Sequence, residues 1–210
     1  MNENTKLSRA ERQRLQLQAD IVEAAFLEFS NRGYHQTAIS DIAQRLGIGH
    51  GTFYRHFENK RDILQHVISD TIQKIMALLT GENAPQAFNN IEEYREQCQR
   101  ISERLRTFAQ ENPLTLKLLL LEATSIDANM TKFVQNLMQM GGVLTAHYLK
   151  HGVELHIFRA DLDCENTGHN IIGMITNGAL RFLANPNDVE GLQKYGDSII
   201  DLIVAGMRKI

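Results

Sequence analysis

Tryptophan is absent from this 210-residue chain, and proline and cysteine are scarce, at three and two. The thiols of Cys98 and Cys164 lie far apart, with neither a CxxC spacing nor a basic pairing pattern, which argues against a disulfide framework and a redox switch. Wholly apolar runs are as short as Leu118–Leu121, far below the roughly 20 residues needed to cross a bilayer, so no membrane partner is expected. The first residues lack the apolar run and cleavage pattern of a secretory signal, which makes a cytoplasmic location the expectation. Also missing are G-x-S-x-G, HExxH and a phosphate-cradling glycine loop. Without such a constellation an enzyme is not expected, and no cofactor is implied.

What is present is an ordinary globular composition, 43% hydrophobic and 22% charged, with a net charge of -3. That charge is unevenly spread. Residues 1–64 carry +1 and residues 65–210 carry -4. Lys6, Arg9, Arg12 and Arg14 cluster at the start, and Arg45, Arg55, Lys60 and Arg61 flank a later segment, a modest basic footprint for a polyanion. For the early cluster two readings stand: a solvated arm, or contact with a phosphate or a minor groove.

Apolar residues recur with a period of 3.6, and no strand-like alternation competes, so the fold class is all-α. The first helix, about 9–31, carries Leu17, Ile21, Ala25 and Phe29 on one face and stops at Gly33. Thr37 is the expected N-cap of a second helix with Ile39, Ile42, Ala43 and Leu46 inward, and Gly47 suits a left-handed turn. A third short helix starts near His50 and extends to about Phe57, with Phe53 and Phe57 in the core and His50, Thr52, Tyr54, Arg55 and His56 outward. Two short amphipathic helices around one glycine make a helix-turn-helix, spanning Ile39 to Phe57. Six further helices follow, about 60–79, 91–110, from Pro113 with Asn112 as N-cap, 128–150, 165–184 and 189–208. The Leu118–Leu121 run reads as deeply buried, and Gly141–Gly142 marks either a bend or a close approach in the seventh helix. The expected architecture is a three-helix head over residues 1–64 and a helical ligand-binding and dimerisation body over 65–210, about nine helices in all.

The segment Ile21 to Leu64 resembles the DNA-binding head of the tetracycline-repressor (TetR) family. The resemblance is carried by the pattern from Ala24 to Phe29, then Gly33 and Tyr34, Thr37, Asp41 to Ala43, Gly47, Gly51 to Tyr54, His56 and Phe57, and Lys60. About a fifth of the chain is covered. It implies that the helix at His50 enters the major groove of a double-stranded operator while Thr52, Tyr54 and Lys60 contact phosphates, which fix register without reading sequence. His50, Arg55 and Ser40 are the base-edge candidates, and Gly51 and His56 complete the expected DNA-binding set. Gly49 departs from the pattern, since related heads often carry a capping serine there; glycine is a tolerable substitute.

The resemblance further implies a homodimer formed through the last two helices, with Ile171, Ile175, Gly178, Ala179, Phe182, Ile199, Leu202, Ile203 and Gly206 as interface candidates; an intrachain core is the alternative for the same residues. Met130, Met138, Met140 and Phe133, with Phe108 and Leu120, are candidate lining for a pocket that adapts to an apolar or amphipathic small-molecule effector, since methionine accommodates varied shapes; core packing is the equally compatible alternative. His147 and His151 stand four apart, near Glu154, His156 and His169, but spacing fixes no third ligand and no metal site is expected. The expected function is a ligand-responsive transcriptional regulator, a repressor released from a palindromic operator. A DNA-binding regulator controlled by a protein partner is the alternative.

Overall fold

The computed structural model describes residues 8–208; Lys6, one of the early basic residues, lies outside them. Among the described residues there are nine α-helices and no strand: α1 Arg9–Arg32, α2 Ile39–Leu46, α3 His50–Phe53, α4 Lys60–Ala77, α5 Ile91–Glu111, α6 Pro113–Lys117, α7 Ala128–Glu154, α8 Cys164–Ala184 and α9 Val189–Met207. The chain divides after Ile72, within α4, into two compact units.

In the head, α1 begins with a capping box: the Glu11 amide donates to Ser8 Oγ and the Ser8 amide to Glu11 Oε2, at 3.1 and 2.8 Å. Arg9, Arg12 and Arg14 therefore stand on a formed helix. Gly33 ends it at φ 82° and ψ 155°, and Gly47 ends α2 in the left-handed region, conformations that a side chain would strain. Ile21, Phe29, Ile42, Phe53 and Phe57 are buried as the periodicity predicts, and Ile63 and Leu64 of α4 join them.

Thr37 is not the N-cap of α2. That position is Ala38, whose amide donates to Asp41 Oδ2 at 2.8 Å, while the buried Thr37 hydroxyl donates to the carbonyls of Gly33 and Glu28. The third helix is also shorter than expected. Its α-helical part stops at Phe53, and Tyr54 to His56 form a tight turn that brings Phe57 back into the core.

The body is built on α7 and α8, packed antiparallel: Met138 lies against Thr176, and Lys150 pairs with Glu165. Of the two readings of Gly141–Gly142, α7 continuing through the pair as one helix favours the second. Close approach is the reason for the glycines. A Cβ on Gly142 would overlap the His169 ring, one on Gly152 would overlap Phe158, and one on Gly168 would lie 2.5 Å from the Gly142 carbonyl oxygen. The main core gathers Phe88, Tyr94, Tyr148, Leu149, Phe158, Ile171, Ile200, Ile203 and Met207, and a smaller cluster holds Ala109, Leu116 and Phe182.

Two expectations for the middle of the chain are met only in part. Asn112 occupies the N-cap position of α6 with Pro113 at its first turn, as expected, but makes no side-chain cap bond; its Nδ2 instead donates to the Phe108 carbonyl of α5 at 2.9 Å. The leucine run is not uniformly deep. It forms a π-turn over Leu118–Glu122 followed by a 3-10 turn, burying Leu118 and Leu119 and leaving Leu121 exposed.

Candidate DNA-binding site

Seating Phe53 and Phe57 in the core determines which neighbours face water. Their rings lie 5.8 Å apart, and the edge of His66 from α4 closes on Phe57 at 5.1 Å. With those anchors inward, Ser40, His50, Gly51, Tyr54 and Arg55 are exposed, and Thr52, His56 and Lys60 are half-buried. Tyr54 keeps 54% of its surface, so its hydroxyl is free to donate outward. The N-cap Gly49 makes no side-chain cap bond, as its missing hydroxyl requires.

The electrostatics of this surface are selective. Arg55 donates from Nη2 to Thr52 Oγ1 at 3.0 Å, so in the free protein its guanidinium rests on the adjacent hydroxyl. His56 is held below the ordinary imidazole pKa, first by burial and then by the positive charges of Arg14 and Arg55. Arg14 sits seven residues before the buried Ile21 and so shares the inward side of α1, two turns beyond the core. Heptad counting back from Ile21 is the signal in the sequence that finds it.

Two basic residues are committed inside the head. Arg45 donates from Nε to Glu28 Oε1 at 2.7 Å; Glu28 is buried and also pairs with Arg32, which reaches Asp41 at 3.4 Å. Lys60 is drawn inward to the carbonyls of the α1–α2 turn, donating to those of Tyr34 and Thr37 at 2.7 and 2.9 Å, and burial lowers its pKa. The partners in these bonds lie 17 to 26 residues apart in sequence, which is why local patterning missed them.

In the body, Met130 is completely enclosed and Met140 is 64% exposed; Leu120, Phe133 and Met138 are half-buried. Phe108 packs against the Ala109, Leu116 and Phe182 cluster and also borders a cleft of about 370 Å³ with Leu78, Arg100, Glu103, Arg104, Thr107 and Glu111. Of the dimer candidates, Ile171, Gly178, Phe182 and Ile203 are buried within the single chain, and Ile175, Ala179 and Ile199 are half-buried against its cores. Leu202 and Gly206 are exposed, Leu202 at 64%. His147 is exposed, whereas His151 bonds through Nε2 to the Phe88 carbonyl at 3.1 Å. Among the described residues, no group of three His, Cys, Asp or Glu is placed to hold a metal ion, and no helix is long and apolar enough to cross a membrane.

Comparison with known proteins finds a family likeness in the head. Residues 21–67 match the family profile described as bacterial regulatory proteins, tetR family. Over 190 residues the chain is 23% identical to the HTH-type transcriptional regulator YdgC of Bacillus subtilis strain 168, covering 89% of this chain and 90% of that protein. Over 192 residues it is 22% identical to the fatty acid metabolism regulator protein of the same organism, covering 89% and 93%. In fold it is similar to the transcriptional regulator FadR from Bacillus subtilis crystallised in complex with stearoyl-CoA, with a TM-score of 0.74 and 20% identity, over 90% of this chain and 99% of that one.

Proposed function

We propose, from the match of residues 21–67 to the profile of bacterial regulatory proteins, tetR family, that the chain is a DNA-binding transcriptional regulator of that kind, a dimeric repressor released from a palindromic operator by an amphipathic effector. The observation that carries the reading is the coincidence of the family match with a compact head whose aromatic anchors are buried while His50, Tyr54 and Arg55 stand in water. Thr52 and Tyr54 supply hydroxyl donors for phosphates, and His50, Arg55 and Ser40 supply base-edge contacts. Two heads would meet half-sites about 34 to 36 Å apart, so a dimer reads an inverted repeat. Effector binding releases the DNA only if the effector prefers the dimer shape that cannot span both half-sites.

For the effector, long-chain acyl thioesters are the class to screen first. The FadR relative is described in complex with stearoyl-CoA, and in this chain Phe108 and Leu78 border the same cleft as Arg100 and Arg104. Control by a protein partner is the second reading, favoured by the four charged side chains that line that cleft and by the complete packing of Met130. Thermal stabilisation by an acyl-CoA supports the first; no shift with any chain length supports the second.

The reading is tested by recovering bound fragments from random and genomic DNA at near-physiological salt. An enriched inverted repeat supports it, and retention without enrichment reduces the protein to a sequence-blind binder. On the enriched site, Arg55→Ala is expected to flatten the preference at one position per half-site by about 1 to 3 kcal/mol, measured by competition between base-substituted duplexes. An unchanged preference removes Arg55 from the reading set. Leu202→Glu is expected to weaken dimerisation by about ten-fold or more in sedimentation, since a buried unpaired carboxylate is costly at an interface; an unaltered dimer moves the interface off this part of α9.

A further inference from the structure

Lys60 is the first residue of α4, and its side chain turns back into the head. The ammonium donates to the carbonyl oxygens of Tyr34 at 2.7 Å and Thr37 at 2.9 Å, with that of His35 at 3.5 Å, and lies 4.3 Å from the centre of the Tyr34 ring. Of the ammonium's three protons, two are engaged at short range by the Tyr34 and Thr37 carbonyls, and the His35 carbonyl lies at the outer limit of a third bond. The carbonyls belong to the turn that leaves α1 at Gly33 and enters α2 at Ile39. Two other side chains hold the same turn: the Thr37 hydroxyl on the carbonyls of Gly33 and Glu28, and the Asp41 carboxylate on the Ala38 amide. Lys60 is the contribution of α4. It fastens α4 to the segment that sets where α2 begins, and α2 carries Ser40 and packs on α3.

We propose that Lys60 is a positioning residue for DNA recognition, holding the α1–α2 turn so that α2 and α3 present their outer residues in register, and that it does not itself bind phosphate. This rests on the reading of the head as a DNA-binding unit. Moving the ammonium to a phosphate would break its bonds to the turn and strip their charged donor from carbonyls in a half-buried site. The geometry also demands lysine. A compact ammonium can serve carbonyls converging from several directions, whereas the planar fork of arginine suits a phosphate but not this cage.

The two roles separate in one experiment on the full chain, comparing wild type, Lys60→Met and Lys60→Arg. The probe is a duplex of about 30 base pairs carrying the selected sequence, or a random-sequence duplex of equal length, titrated between about 50 and 200 mM NaCl. The positioning role predicts that both variants bind the selected duplex about ten-fold more weakly with the wild-type salt slope, arginine failing to rescue. It also predicts faster amide exchange across residues 34–38 in both. Wild-type affinity in Lys60→Arg, with a slope about 0.9 shallower in Lys60→Met, would make Lys60 a phosphate contact and overturn the proposal. Equal affinity in all three proteins, compared at equal folded fraction, overturns it as well. If Lys60→Met fails to fold, Lys60→Arg carries the comparison. A wild type that retains no duplex sinks the DNA-binding reading itself, and with it the positioning role, while amide exchange still reports whether the cage exists.

Discussion

Phe53→Ala is expected to abolish retention of DNA while leaving most of the helical signal in place. The Phe53 ring is fully buried, and Phe57 packs 5.8 Å away. Removing a buried phenylalanine costs about 3 to 5 kcal/mol, the transfer energy of the ring plus the cavity left behind. A unit of roughly seventy residues has little more than that to lose. The chain divides after Ile72, so the loss should show as a separate early transition in a denaturant titration, with the helices of the body melting later. A single transition at the wild-type midpoint would mean that the ring is not what holds α3.

The second large effect is expected in the body. Gly168→Ala would place a methyl carbon 2.5 Å from the Gly142 carbonyl oxygen and 2.9 Å from the Ala146 amide nitrogen. Both atoms belong to the α7 backbone, so no side chain can swing aside to make room. The two helices would have to part along the seam, at a cost of about 3 kcal/mol, the upper end of ordinary overpacking. Urea unfolding of the body is the measurement, and a loss below about 1 kcal/mol would mean that the pair yields more readily than its contacts imply. Gly173→Ala is the natural control, because nothing lies near the position of its Cβ.

The sequence was most informative where structure is set by neighbours along the chain. Gly33 and Gly47 end α1 and α2 because only glycine takes those backbone angles without strain, and that is legible from position alone. Ile21, Phe29, Ile42, Phe53 and Phe57 are buried because one helical face must be. Legibility failed where a polar group had two possible partners. Thr37 and Asn112 each stand before a helix and each suit a cap, but the carbonyls of Glu28, Gly33 and Phe108 offered their side chains better acceptors. It failed again for Glu28, Arg45 and Lys60, whose chemistry is that of exposed side chains and whose partners come from distant segments. The candidate DNA-contacting residues came from the family resemblance; what the pattern itself gave is that, once the aromatic anchors Phe53 and Phe57 are assigned inward, neighbours such as His50, Tyr54 and Arg55 face out. In the body the same logic is weaker, since Ile171, Phe182 and Ile203 could close a single-chain core or a subunit interface by pattern alone, and here they are buried in the single chain.

The glycine seam also has a mechanical meaning. Where Gly168 meets the Gly142 carbonyl and the Ala146 backbone no side chain lies between the two helices, so sliding α8 along α7 at that point would drive backbone into backbone. The stretch from Leu118 to Ser125 is built differently. There the helix is already wound as a π-turn and then a 3-10 turn, so passing between windings exchanges one backbone bond for another instead of breaking a regular ladder.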